Sequence, residues 1–397
     1  MSQGNSNNKS KSKSRSRSKH TDDRKSRNHA ERNASTASAI DPTTHLRPSQ
    51  ATATAPVLVI DSWYAGAIAD GHRQDPAYRY RVAGLDQAME RRFPHLARLA
   101  PRSRMLRGVL WYLVSRHAQR VVCLFASRGL LSFLFLEVLF GTGVPRVVLV
   151  EFLRPRPVGP AARFKEALHT RLCKWLFPST VTGIQVMTSW EGLHYAKKYR
   201  LPNSLFTTIP FPMMLNPSAL PAMPAVHSDV VMASGRAACD WTTLFEAARG
   251  ARWRLTVVCS DADRALVERL NRDARATVMS EVTPEDHARL LGKADVYALV
   301  LREQDASTGQ VRLARAIEAG VPVVASDVRG LDGYLEDGIT AVCVAPGDAG
   351  ALRHAIDRLM EDGQARRDLR ARAYEAMRSR SLGDYVSQIK VLALKGV

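Results

Sequence analysis

Between residues 302 and 330 the chain reads REQDASTGQVRLARAIEAGVPVVASDVRG. A loop of small polar residues precedes a helix start near Thr308 to Val311, and a buried strand follows the helix. The first turn of a helix carries N–H groups without internal acceptors and about half a positive charge. Glycine lets an anion approach such a backbone closely. Ser307, Thr308, Gly309 and Gln310 therefore form a candidate cradle for a diphosphate, with Arg312 or Arg315 within a turn or so of it. A second candidate is Ser234-Gly235-Arg236 at the end of the apolar run DVVMAS, where Arg236 could pair with a phosphate in bidentate fashion. The plainer alternatives are an ordinary strand–loop–helix turn and a tight turn with a surface arginine. A lone glycine-containing loop does not separate these readings.

Loops of this kind bind ligands when they lie outside the carboxyl ends of parallel strands. Short β-branched runs recur at 55–61, 120–126, 145–152 and 183–189, and again at 229–234, 254–260, 276–282, 295–301, 321–327 and 340–346. Each leaves room for a helix after it, which is the pattern of an open α/β sheet. Between the two series, residues 210–228 hold five prolines, a density that no helix or central strand tolerates. The pattern predicts two doubly wound α/β domains, 53–212 and 229–397, joined by a Pro-rich linker, 213–228. Residues 84–119 and 162–177 are expected to be helical and basic, and Asp348 to cap a late helix.

Residues 1–52 are mostly Ser, Lys, Arg, Asn and Thr, and are expected to form a disordered basic tail. The formal net charge is +19; residues 1–50 hold 11 Lys/Arg against 4 Asp/Glu, so +7 lies there and +12 on the rest. The tail alone does not account for the basic balance. The cysteines, Cys123, Cys173, Cys239, Cys259 and Cys343, form no C-x-x-C pair. Neither a zinc site nor a disulfide framework is expected, and a reducing compartment fits. No apolar segment follows KSKSRSRSK, so no secretory signal is read there. The most apolar run, 129–141, contains Glu137 and is shorter than the about 20 residues that span a bilayer. It is expected to be a buried helix, with an interfacial helix as the alternative.

The order SGR…TLFEA, LTVVCSD, EVTPEDHARLLGKADVYAL, STGQVRLARAIEAGVPVVASD and LEDGITAVCVAPGDAGALRHAI, over roughly residues 229–380, resembles the donor-binding domain of retaining GT-B glycosyltransferases of the family 4 type. VVLVEF and IQVMTSWEGLHYAKKYRLPNSLFTTIPF resemble its first domain more weakly. The resemblance implies two Rossmann-like domains facing across a cleft. The second would hold a nucleotide-sugar and the first an acceptor, with transfer that retains configuration and needs no metal or other cofactor. It also implies that Gly235 and Arg236 meet the diphosphate and that Ser307, Thr308, Gly309 and Gln310 give it backbone donors. Glu281 and Val282 fall at the base-contacting segment by position. The chain departs from the family where two glutamates eight positions apart are usual: Ser307 and Arg315 stand there. Cys239 replaces a basic residue usual after the GR turn. Arg315 is expected to take over phosphate charge or to contact the acceptor.

Asp261-Ala262-Asp263 spells a D-x-D pair, which holds a divalent ion in a different glycosyltransferase fold. After a strand it is expected to cap the next helix instead. In the first domain, strand ends bring Asp61, Ser62, Ser127, Arg128, Glu151 and Ser189 toward the cleft. Glu151 is the catalytic candidate there beside Arg236, and a salt bridge to Arg154 or Arg156 is its structural alternative. None of His72, His95, His117, His169 and His194 has a motif that singles it out. Arg91, Arg92, Arg98, Arg102, Arg104 and Arg107 cluster in one stretch, and Arg163, Lys165, Arg171 and Lys174 interleave with Phe164, Leu168, Leu172, Trp175 and Leu176. That mixture suits an anionic membrane surface, or a solvated helix face over an ordinary core.

The expectation is a cytoplasmic, membrane-peripheral glycosyltransferase that moves a sugar from a nucleotide-sugar donor to a saccharide or lipid-linked acceptor. Synthesis of a cell-surface or extracellular polysaccharide or glycoconjugate is the setting it implies. The rival is a non-catalytic nucleic-acid-binding or scaffold protein on the same fold. Nucleic acid is the weaker partner, since no aromatic RNA-binding module is visible.

Overall fold

The computed structural model describes residues 57–60, 79–82, 95, 103–124, 129–215, 218–222, 227–272 and 276–395. The basic tail, Asp61, Ser62, His72, Ser127, Arg128 and the arginines at 91, 92, 98 and 102 lie outside the described residues.

Among the described residues twelve strands form two sheets of six, and the strand pairs of both sheets are parallel. The first sheet has the order β2-β1-β3-β4-β5-β6, from β1 (Val57–Ile60), β2 (Arg79–Val82), β3 (Val121–Leu124), β4 (Val147–Val150), β5 (Val181–Val186) and β6 (Phe206–Thr208). The second has the order β12-β11-β10-β7-β8-β9, from β7 (Val230–Gly235), β8 (Arg254–Cys259), β9 (Thr277–Ser280), β10 (Val296–Leu299), β11 (Val323–Ser326) and β12 (Val342–Val344). The central strands VVCL, VVLV, VYAL and VVAS are buried along their whole length. Helices on both faces of a parallel sheet demand such runs. Every β-branched run read from the sequence forms a strand. RYRV of β2 and FTT of β6 are additional; they are short and partly polar, and they are edge strands.

The described helices are α1 (Arg104–Ser115), α2 (Leu130–Phe140), α3 (Pro160–Thr180), α4 (Ser189–Tyr199), α5 (Trp241–Ala248), α6 (Asp261–Leu270), α7 (Pro284–Leu291), α8 (Gln310–Glu318), α9 (Ala349–Glu361), α10 (Gly363–Met377) and α11 (Leu382–Leu394). Side-chain caps start several of them, each worth about 1 kcal/mol. Thr188 caps α4, Thr283 caps α7, and Asp348 caps α9 as expected. For α6 the cap is Ser260, and Asp261 and Asp263 fall in the first turn, where their charge suits the helix dipole.

The run 129–141 corrects one expectation. It is helical over α2, but of that helix only Leu130, Phe133, Leu134 and Glu137 are buried, while Phe135, Val138, Leu139 and Phe140 are exposed. A helix lying on a sheet can cover only one stripe, and this one is apolar all round, so its outer face stays open. Among the described residues no helix is long and apolar enough to cross a membrane.

The two sheets meet along a seam built around the loop 302–309, which leaves β10. Arg156 pairs with Asp305 at 3.0 Å, Ser189 donates to Asp332 at 2.9 Å, and the Arg329 guanidinium lies 5.1 Å from the Trp190 ring. The innermost contact is Glu191 of α4. Its carboxylate accepts from the N–H of Met187 at 3.1 Å, and from the N–H and hydroxyl of Ser307 at 2.9 Å each. Burial raises the pKa of Glu191, partly offset by these donors. Returning from the second sheet, α11 packs over β4 and β5 of the first.

Glu191→Ala would leave two buried N–H groups, those of Met187 and Ser307, without acceptors, at about 1–3 kcal/mol each. A clear drop in the urea midpoint of unfolding is expected; an unchanged midpoint would show that the seam does not depend on this carboxylate.

Candidate active site

The second sheet reverses its strand order between β7 and β10. Counted from β7 it reads 3-2-1-4-5-6, and ligands of such sheets bind outside the carboxyl ends at the reversal. The loops that leave these two strands are 234–240 and 302–309, which are the two candidate loops of the sequence.

Arg312, on the first turns of α8, joins them. Its Nη1 donates to the carbonyl of Ser234 at 3.0 Å and to Sγ of Cys239 at 3.1 Å, and its Nη2 to the carbonyl of Ala237 at 3.0 Å. Gly235 makes room for it, because a Cβ there would overlap the guanidinium and the Cys239 sulfur. Cys239 stands where a basic residue is usual, and the guanidinium of Arg312 lies against it. The helix can carry arginines because its buried stripe, with Leu313, Ala314, Ala316 and Ile317, faces away from them.

Beneath the loop, Ser234 is fixed by two residues through three contacts. Its hydroxyl lies 2.8 Å from the Tyr297 hydroxyl and 2.8 Å from Nε2 of His287 on α7, and its carbonyl accepts from Tyr297 at 3.2 Å. Burial, and secondarily the charge of Arg315, lowers the pKa of His287. The imidazole is therefore neutral at pH 7.

Arg236 and Glu281 come together, but at the surface. The Arg236 Nη2 lies 2.5 Å from Oε2 of Glu281, and the two side chains are 71% and 41% exposed. Glu281 has a left-handed backbone, φ 49, and its other oxygen accepts from the N–H of Asp261 at 3.4 Å. Val282 packs half-buried against the core. Asp263 accepts from the Trp241 indole at 3.1 Å. Among the described residues no group of three His, Cys, Asp or Glu side chains is placed to hold a metal.

In the loop 302–309, Ser307 is buried and its N–H is held by Glu191. Gly309, φ 98, is the N-cap of α8, and a Cβ there would press on Leu301. Thr308 is half-buried, and the side chain of Gln310 donates to the carbonyl of Gly330. The first bond of the helix runs from Leu313 N–H to Gly309 C=O. The N–H groups of Gln310, Val311 and Arg312 therefore precede the helical ladder.

Arg315 lies one turn further on, 3.2 Å from Glu318, whose side chain is fully buried and accepts from the N–H of Leu215 at 2.7 Å. Both positions where glutamates are usual thus carry another residue that touches a neighbouring glutamate: Ser307 touches Glu191 of α4, and Arg315 touches Glu318 of its own helix.

Glu151 ends β4 in a left-handed conformation, φ 54, and is buried. Its N–H donates to Gln185 at 2.8 Å and its carboxylate accepts from Tyr385 of α11 at 3.3 Å. Its expected structural partners are engaged elsewhere, Arg154 with Glu166 and Arg156 with Asp305. Glu151 belongs to the first-sheet side of the seam, apart from the loop 234–240. Sequence reading did not single out His287, Tyr297 or Glu191. Each acts through a partner far along the chain, and the D-H pair at 286–287 gives no motif.

Because the folded pKa of His287 lies below its ordinary value of about 6.5, the unfolded chain takes the proton first as pH falls. The stability it contributes is present above that value and is lost as pH falls toward the folded pKa. His287→Gln is expected to flatten this part of the stability–pH profile; a profile identical to that of the native chain would contradict the assignment.

Residues 240–362 match the family model described as Glycosyl transferases group 1. No curated protein sequence matches the chain. Among solved structures, HepE of Anabaena in complex with UDP superimposes with a TM-score of 0.61 at 14% identity, covering 85% of this chain and 98% of that one. Sucrose-phosphate synthase of Thermosynechococcus elongatus gives 0.62 at 16% identity, with 85% and 98% covered. A glycosyltransferase of Rickettsia africae gives 0.58 at 11%, with 87% and 100% covered. The chain therefore has the GT-B fold of two Rossmann-like lobes, and the segment that is similar to the group 1 glycosyl transferase model lies in its second lobe.

Proposed function

We propose that the chain is a glycosyltransferase that takes its sugar from a nucleoside diphosphate donor bound at the switch point of the second sheet. The observation that carries this reading is the meeting of Gly235, the Arg312 guanidinium and the start of α8 at that point. The group 1 match over residues 240–362 supports it, as does the capture of UDP and UDP-glucose in the HepE structures. In this reading a nucleoside diphosphate leaves, and its growing charge meets the first N–H groups of α8 and Arg312. Preorganised donors of this kind are usually the largest catalytic contribution. Arg236 and Glu281 close the donor side at its rim, and Glu151 serves the acceptor side. No metal enters the proposal. Retention of configuration, a saccharide or lipid-linked acceptor, and work at the cytoplasmic face of a membrane in polysaccharide or glycoconjugate synthesis complete it. The linker 213–228 would act as the hinge on which the domains 53–212 and 229–397 close to exclude water.

Calorimetry of the full chain with UDP and other nucleoside diphosphates tests the donor site. One nucleotide is expected to bind. Arg312→Ala is expected to weaken it by about 1.5–3 kcal/mol, the range for a hydrogen bond to a charged group. Arg236→Ala should weaken it less, because that ion pair is solvated. Binding of RNA with steep salt dependence and of no nucleotide would favour a non-catalytic protein instead.

A further inference from the structure

Nine of the sixteen large apolar side chains exposed among the described residues lie between residues 135 and 175. Phe135, Leu139 and Phe140 belong to α2; Phe164, Leu168 and Trp175 belong to α3. On α3 they stand at i, i+4 and i+11, which is one face of a helix. The two rows join where the rings of Phe135 and Trp175 lie 6.1 Å apart. Single exposed apolar residues need no explanation, whereas a contiguous row does.

The charges beside this row have one sign. Arg163, Lys165 and Arg171 are exposed on α3. Each of the two helices contains one acid, and both acids turn inward. Glu137 is buried against Arg146 at 2.6 Å, and Glu166 is held by Lys198 at 2.7 Å and by Arg154. The outer face of α2 and α3 thus presents rings, aliphatic groups and cations without an exposed carboxylate.

We propose that this face docks on an anionic lipid bilayer. Aromatic rings settle at the headgroup boundary, and lysine and arginine beside them meet anionic headgroups. A second copy of the chain fits less well, because a two-fold contact would set the same cations against each other. Both helices start at the carboxyl ends of the strands they follow, so Phe164 and Arg163 lie toward the edge from which Arg156 reaches Asp305. A docked face would hold the seam edge of the first sheet close to the membrane. The inference rests on the reading that the acceptor is lipid-linked and gives that acceptor a route to the first sheet.

Co-sedimentation of the full chain, without nucleotide, with phosphatidylcholine vesicles that contain or lack phosphatidylglycerol tests it. Binding only to the anionic vesicles is expected. Phe164→Asp with Trp175→Asp, and separately Arg163→Gln with Lys165→Gln and Arg171→Gln, should each lower the partition at least about tenfold. Arg264→Gln with Arg269→Gln, a loss of exposed cations on α6, should leave it unchanged. Melting temperatures near that of the native chain would show that the variants fold. Quenching of tryptophan fluorescence by brominated lipid should fall in Trp175→Phe. No binding to anionic vesicles would overturn the proposal, as would face variants that bind like the native chain, which would assign binding to the basic tail. A changed sedimentation coefficient with unchanged vesicle binding would overturn it in favour of a second copy. Since no nucleotide is present, failure here leaves the donor site standing, and failure of nucleotide binding leaves this face standing.

Discussion

The position of one loop depends on a buried carboxylate. Glu191 cannot be left without donors at 1% exposure, and it takes them from Met187 on its own lobe and from Ser307 on the other. Holding Ser307 sets where the loop 302–309 ends and therefore where α8 begins. The start of α8 in turn sets where Arg312 emerges, and Arg312 organises the loop 234–240 through three acceptors. The geometry of the candidate donor site is thus anchored in the first lobe although its residues belong to the second.

Much of this was legible in the sequence for a simple physical reason. Parallel strands covered on both faces must be short unbroken apolar runs, and the short β-branched runs VVCL, VVLV and VVAS fit that requirement. The same logic located both loops of the switch point, because a parallel sheet exposes its ligands at the carboxyl ends. The edge strands of the first sheet escaped because RYRV and FTT carry no such run. The contact of Arg312 with the loop 234–240 also escaped. It depends on the rotation of α8 and on the missing Cβ of Gly235, and neither has a sequence signature. The run 129–141 misled in the opposite direction, since an all-apolar helix has no periodicity to say which side is covered.

The departures from the resembling family take on a physical shape here. At the two positions where glutamates are usual, Ser307 and Arg315 touch Glu191 and Glu318. At the position where a cation is usual, Cys239 touches Arg312. For Ser307 and Cys239 the charge type is supplied next to the expected place by a residue of another element, and for Arg315 by Glu318 on the same helix. A buried group is constrained by the sum of its neighbours and not by the identity of any one, so such exchanges preserve the balance while erasing the motif.

In the proposed function a nucleotide sits on the start of α8 beside the loop 234–240. Hydrogen–deuterium exchange of the full chain with and without UDP addresses it directly. Slower exchange is expected in peptides that cover 234–240 and 302–313. Slowing confined to the first sheet would contradict it.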